Sequence, residues 1–165
     1  MNKKPARTLL VLSALVMALV VSPAAVSYPN GIQGVKDSGC NCHGAVTSSE
    51  VVPSITGLPD QYNYSETYEI TVSFVGGPSD PSNINQGGFN LWVSDGELTP
   101  SDATVQSYSV NEVSHTEAGN DQTSWTLTWT SPSSDRNVEF VLHTNSVNGN
   151  ADGANGGSSG DMWNR

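Results

Sequence analysis

The sequence predicts an all-β protein, an antiparallel immunoglobulin-like β-sandwich of about seven strands preceded by a loop that carries cysteine and histidine. Three observations lead to this prediction. Apolar residues recur at every second position in several segments, as they do in half-buried strands. Clusters of glycine, proline, serine and aspartate separate these segments. Beyond the N-terminal region, no apolar pattern of helical period extends over a useful length.

The N-terminus has the layout of a secretory signal. Three basic residues occur within the first seven positions, and the apolar run 9–21 follows them. Ala25-Val26-Ser27 then offers small residues for signal peptidase, with cleavage expected before Tyr28. An uncleaved anchor is the alternative. The sequence therefore predicts a signal peptide over 1–27 and a secreted or cell-surface protein, with no transmembrane span in the mature chain.

The strand candidates follow one another along the rest of the chain. In the best of them, Tyr68, Ile70, Val72 and Phe74 alternate with polar residues. The candidates, in order, are 51–56, 68–74, 89–93, 105–113, 125–129 and 138–143, with a last one near Met162. We therefore predict an N-terminal loop over 28–49 and a sandwich domain over 50–165, with the tryptophans and a phenylalanine filling its core.

The charge of the chain excludes some partners. The formal net charge is −10, from six basic and 16 acidic residues. Without the predicted signal peptide, three basic residues remain against all 16 acidic ones, which gives −13. Such an acidic protein repels nucleic acid and anionic lipid, so neither is expected as a partner.

The most reactive residues lie together in Cys40-Asn41-Cys42-His43-Gly44. This cluster contains both cysteines and one of the three histidines. A disulfide is the usual fate of exported thiols, but residues at i and i+2 form a strained bridge that closes almost no loop. The spacing is one residue short of the c-type haem signature Cys-x-x-Cys-His. With one residue between them, the two thiols share a face only where the backbone is extended, which would permit one thioether or a strained pair.

A small zinc or copper site is the competing chemistry for the same thiolates and imidazole. Both haem and a metal ion need a further ligand, for which the candidates are His115, His143 and Met162. Alternation predicts that His143 faces away from the core, and an ordinary surface side chain is the alternative for each candidate. No catalytic triad, carboxylate pair or phosphate loop stands out, so enzyme activity is uncertain, and an electron carrier or binding module is favoured.

Several short motifs also occur in an order that is typical of a known family. They are Ser38–Gly44, Ile55–Pro59, Tyr68–Val72, Gly88–Leu91, His115-Thr116, Trp125–Pro132 and the segment from Asn145 to Asp161. The chain from 39 to 161 resembles the microbial secreted domain called choice-of-anchor V, which is related to the reeler (reelin N-terminal-like) β-sandwich. The resemblance implies thioether bonds from Cys40 and Cys42, His43 as the proximal haem ligand and His115 as the distal one. The chain departs from that family's Cys-x-x-Cys-His-Gly by one deleted residue.

Our sequence-based hypothesis is a secreted or cell-surface protein that binds one c-type haem on its N-terminal loop. With both axial positions filled by His43 and His115, one-electron transfer is the expected function, toward another surface redox protein or an external acceptor. The alternative is a structural or adhesion module whose cluster is vestigial or holds zinc or copper.

Overall fold

Two antiparallel sheets make up the fold. The computed structural model describes residues 29–43, 46–149 and 160–165, and the predicted signal peptide lies outside them. This part of the chain contains nine strands, and its helical residues are confined to two 3-10 turns, Asn41–His43 and Glu117–Gly119. The strands are β1 Val52–Thr56, β2 Thr67–Val75, β3 Gly87–Val93, β4 Glu97–Pro100, β5 Val105–Ser109, β6 Glu112–His115, β7 Ser124–Thr130, β8 Phe140–Ser146 and β9 Met162–Asn164. The predicted all-β sandwich is confirmed, with nine strands where about seven were expected.

The strand order places the first strand, β1, and the last strand, β9, in different sheets. The four-stranded sheet has the order β1-β2-β7-β4, and the five-stranded sheet has the order β5-β6-β3-β8-β9. In the five-stranded sheet, β3 is the central strand, and Asn90 lies opposite both Ser114 of β6 and His143 of β8. The short last strand β9 pairs with the end of β8, where Asn145 lies opposite Trp163.

The core lies between the sheets and is built from the apolar positions that alternation predicts. Trp125 of one sheet packs against Phe89 of the other, with ring centroids 4.8 Å apart. Trp129 contacts Phe140 edge to face at 5.1 Å. Both tryptophans are 1% exposed, so burial of their large apolar surfaces is a main source of stability.

Residues 29–43, which we call the covering segment, lie along the five-stranded sheet. The Asn90 amide donates to the carbonyl of Ile32 at 2.8 Å, and the Gly34 N–H donates to Glu112 at 2.7 Å. These partners alternate with core residues on β3 and β6, so the segment covers the face turned away from the other sheet. Polar groups on that face are consequently removed from solvent.

Two strand predictions require correction. The predicted strand 105–113 is a hairpin, because β5 and β6 turn at Val110 and Asn111 and pair with each other. The strand predicted to start at 138 begins at Phe140 and runs on to Ser146. Among the described residues, no helix has the length and apolar character needed to span a membrane.

Candidate functional site

A short 3-10 turn presents the cysteine and histidine cluster. The Gly39 N–H bonds to the carbonyl of Val35 at 2.7 Å, which turns the chain, and the His43 N–H then bonds to the carbonyl of Cys40 at 2.9 Å. In a 3-10 turn, side chains three residues apart are eclipsed and those two apart diverge. The extended backbone that would place both thiols on one face is therefore not present.

The two thiols accordingly have different surroundings. Cys40 is 9% exposed, whereas Cys42 is exposed, and neither forms a disulfide. Burial raises the pKa of the Cys40 thiol to about 12, and the charge of Cys42 adds to the effect. Cys40 is thus held as a neutral thiol, which behaves as a small apolar side chain. Cys42 is the thiol open to solvent.

The His43 imidazole is oriented by a buried carboxylate. Its Nδ1 atom lies 2.9 Å from Oδ2 of Asp161, whose side chain is 2% exposed. The other carboxylate oxygen of Asp161 accepts a hydrogen bond from the Asn148 N–H at 3.0 Å. Because a carboxylate oxygen accepts, this contact favours the tautomer of the neutral imidazole with the proton on Nδ1 and the lone pair on Nε2. Among the described residues, the Asn145 side-chain amide nitrogen lies 3.4 Å from Nε2.

His115 is buried at the end of β6, beside the backbone of β3. Its Nδ1 atom lies 3.1 Å from the N–H of Phe89 and 3.2 Å from its carbonyl oxygen. The ring occupies the space beside Gly88, where a Cβ atom would overlap it. Burial lowers the pKa of His115 despite the bond to Phe89, and the charge of His43 lowers it further.

The alternative ligands His143 and Met162 are not surface side chains. His143 faces away from the core, as alternation predicts, yet it is fully buried beside Trp163 with ring centroids 6.0 Å apart. Neither of its ring nitrogens has a hydrogen-bond partner in the described part of the chain. Burial lowers the pKa of His143, and the charge of Arg165 adds to this. Met162 is half-buried, and its sulfur accepts a bond from Ser48 at 3.4 Å.

These surroundings decide how a prosthetic group fits. Within 29–43, 46–149 and 160–165, no three histidine, cysteine or acidic residues converge in a way that would hold a metal ion. The buried, neutral Cys40 does not suit a second thioether. The exposed Cys42 and the carboxylate-oriented His43 do suit a group attached through one thiol and ligated by the adjacent imidazole, because ligating histidines usually donate their other N–H to such a partner.

Sequence reasoning missed Asp161 and Asn145 as members of this site. Asp161 follows a glycine turn at the start of β9, 118 residues from His43. Only the pairing of β9 with β8 brings it there, and no local pattern indicates that pairing.

The chain is similar in fold to reeler domains. The crystal structure of human F-spondin reeler domain (fragment 1) is 21% identical with a TM-score of 0.43, covering 62% of this chain and 79% of that one. The Reelin-N domain of F-spondin is 21% identical with a TM-score of 0.45, covering 59% and 73%. This likeness is one of fold alone. No protein-family model matches the chain, and no curated protein does.

Proposed function

We propose that the protein is exported and carries one c-type haem, attached through Cys42 and ligated by His43, for one-electron transfer at the cell surface. The observation that carries this proposal is the 2.9 Å bond between His43 Nδ1 and the buried carboxylate of Asp161. It fixes the imidazole tautomer and leaves Nε2 with a lone pair for iron. Proposed export rests on the N-terminal sequence pattern.

His115 is the proposed second axial ligand. Its Nδ1 atom lies 3.1 Å from the N–H and 3.2 Å from the carbonyl oxygen of Phe89, and the tautomer that donates to that carbonyl is the one that leaves Nε2 a lone pair for iron. When bound, a haem with two imidazole ligands exchanges single electrons and has no open position for oxygen. The proposed partners are another surface redox protein or an external acceptor.

A second function is favoured by the state of Cys40. A buried neutral thiol is what a structural module would hold as part of its packing. In that function, the His43–Asp161 bond serves to fasten the covering segment to β9, and the protein is a cell-surface structural or adhesion module. In a variant of this second function, Cys42 and His43 would bind a zinc or copper ion in place of haem.

Expression of the full chain in a host with c-type haem maturation tests the proposal. We expect an absorbance spectrum with a Soret band that survives acid–acetone extraction. Cys42→Ser should abolish covalent attachment, whereas the matched Cys40→Ser should retain it. A colourless wild-type protein with stoichiometric zinc or copper, or with no metal, would support the second function instead.

A further inference from the structure

A cleft of about 490 Å³ lies between two loops at one end of the sandwich. Residues 60–64, between β1 and β2, line one side, and residues 135–137, between β7 and β8, line the other. These loops precede Phe140, whereas His43 contacts Asn145 five residues further along β8. At about 3.3 Å per residue, Phe140 and Asn145 lie about 17 Å apart along β8, so the cleft lies toward the opposite end of that strand from the His43 contact. The cleft is therefore not part of the proposed haem site.

The two walls of the cleft are joined by one tyrosine. The Tyr62 hydroxyl accepts from the N–H of Arg136 at 2.8 Å and lies 3.0 Å from the carbonyl oxygen of Ser134. Its ring packs edge to face on the buried Trp129, with centroids 5.5 Å apart. The first loop is also fixed, because the Asn63 N–H donates to the Tyr68 hydroxyl at 2.7 Å. The cleft is consequently preformed and does not need to be ordered by its ligand.

An aromatic ring and several unused polar groups face this space. Tyr64 is 59% exposed and meets Tyr62 at 6.3 Å in an edge-to-face arrangement. The side-chain amides of three further lining residues have no hydrogen-bond partner among the described residues. These are Gln61, Asn63 and Asn137. Each amide supplies both donors and an acceptor at a fixed distance.

We propose that this cleft binds a short stretch of a neutral glycan. Sugar rings present an apolar C–H face, which packs on an aromatic side chain such as Tyr64, and pairs of adjacent hydroxyls, which match planar amides. The Arg136 side chain forms a 3.1 Å ion pair with Asp95 and is nevertheless 61% exposed. Its remaining N–H groups can therefore donate to the hydroxyl oxygens of a sugar.

Other ligand classes fit less well. A metal ion is disfavoured because no three potential ligands converge within the described residues. A polyanion is disfavoured by Asp60 and Asp135, which outnumber the single arginine of the cleft, and by the net charge of −10. An organic cation would meet the Arg136 side chain, 61% exposed, at the wall of the cleft, and the choline probe below tests this class directly.

The test is isothermal titration of the full chain with cellohexaose, mannohexaose and N-acetylchitohexaose, with choline and Ca²⁺ as competing probes. We expect at least one oligosaccharide to bind, and Tyr64→Ala to weaken that binding at least tenfold. Asn137→Ala should weaken it less, and Ile84→Ala, which alters a residue 73% exposed elsewhere, should leave it unchanged.

Amide chemical shifts provide a second measurement. Saccharide binding should shift the resonances of Asn63 and Asn137 and leave those of Asn145 in place. Binding of choline or Ca²⁺ alone, binding of none of the three oligosaccharides, or oligosaccharide binding that persists in the folded Tyr64→Ala protein would overturn the proposal.

Discussion

His43 and Asp161 join the covering segment to the last strand, through a 2.9 Å contact between Nδ1 and Oδ2. The carboxylate uses both oxygens, since its Oδ1 accepts from the Asn148 N–H. With a side chain only 2% exposed, Asp161 is shielded from competing water. The pair therefore orients the imidazole whether or not a prosthetic group is bound.

Replacing Asp161 with asparagine should leave the His43 imidazole less firmly oriented. Asp161→Asn keeps the size and one acceptor but removes the charge, so we expect the Nδ1–H tautomer of His43 to lose its dominance. The free energy of unfolding should fall by about 1 kcal/mol, the usual scale for such a bond when one partner is partly exposed. Imidazole ¹⁵N shifts and urea unfolding measure the two effects. The exposed Asp121→Asn is the control, and an unchanged His43 tautomer would contradict the assignment.

The two thiols should differ strongly in reactivity. In protein made without haem maturation, we expect iodoacetamide to modify Cys42 quickly and Cys40 only on unfolding. At pH 8, a thiol with a pKa of about 12 is ionised in only about one molecule in 10⁴, and burial also blocks access to Cys40. Mass spectrometry of the Cys42→Ser and Cys40→Ser proteins separates the two rates. Equal rates in the folded proteins would show that Cys40 is not buried.

Alternation predicted most strands because one face of each packs on the core. It failed at β4, where Leu98 is the one buried apolar residue in four positions and no period can appear. It also failed at the β5–β6 hairpin. The turn at Val110 and Asn111 has neither glycine nor proline, and the single asparagine, which does favour turns, does not by itself predict a break between two strands.

The site was predictable only in part, because its residues meet through long-range pairing. The face on which His143 lies was predicted correctly. The burial of His143 was not, because it depends on the covering segment, and no local sequence pattern predicts where that segment lies. The divergence of Cys40 and Cys42 depends on a 3-10 turn that begins after Gly39. The partner Asp161 is brought in by β9, a strand of three residues that is too short to show periodicity.

Gly39 and Gly34 form a matched pair for testing how the covering segment is held. Both have a positive φ, 70° and 73°, where a side chain is strained. A Cβ atom at Gly39 would lie under 3.0 Å from the Trp163 ring, whereas nothing lies within 4 Å at Gly34. We expect Gly34→Ala to cost about 1 kcal/mol and Gly39→Ala about 2 kcal/mol more, because the ring must move. Urea unfolding checks this, and equal costs would mean that the segment does not pack on Trp163.

The buried histidines should make the protein less stable in mild acid. Burial lowers the pKa values of both His115 and His143 below the ordinary 6.5. Between these lowered values and 6.5, the unfolded chain binds more protons than the folded one, so the free energy of unfolding rises with pH and levels off above 6.5. We expect His143→Gln to reduce this slope without removing it, since His115 remains.

Urea unfolding of the wild type and His143→Gln across pH 4.5–7.5 measures the slope, with the exposed Asp121→Asn as the control. A titration of the His143 Cε1–H resonance in the wild type gives the pKa of His143 directly, without a substitution. An ordinary or raised pKa for His143 would mean that its imidazolium is solvated or paired in the fold. That result would contradict the structure, in which both ring nitrogens of His143 are buried and have no hydrogen-bond partner among the described residues.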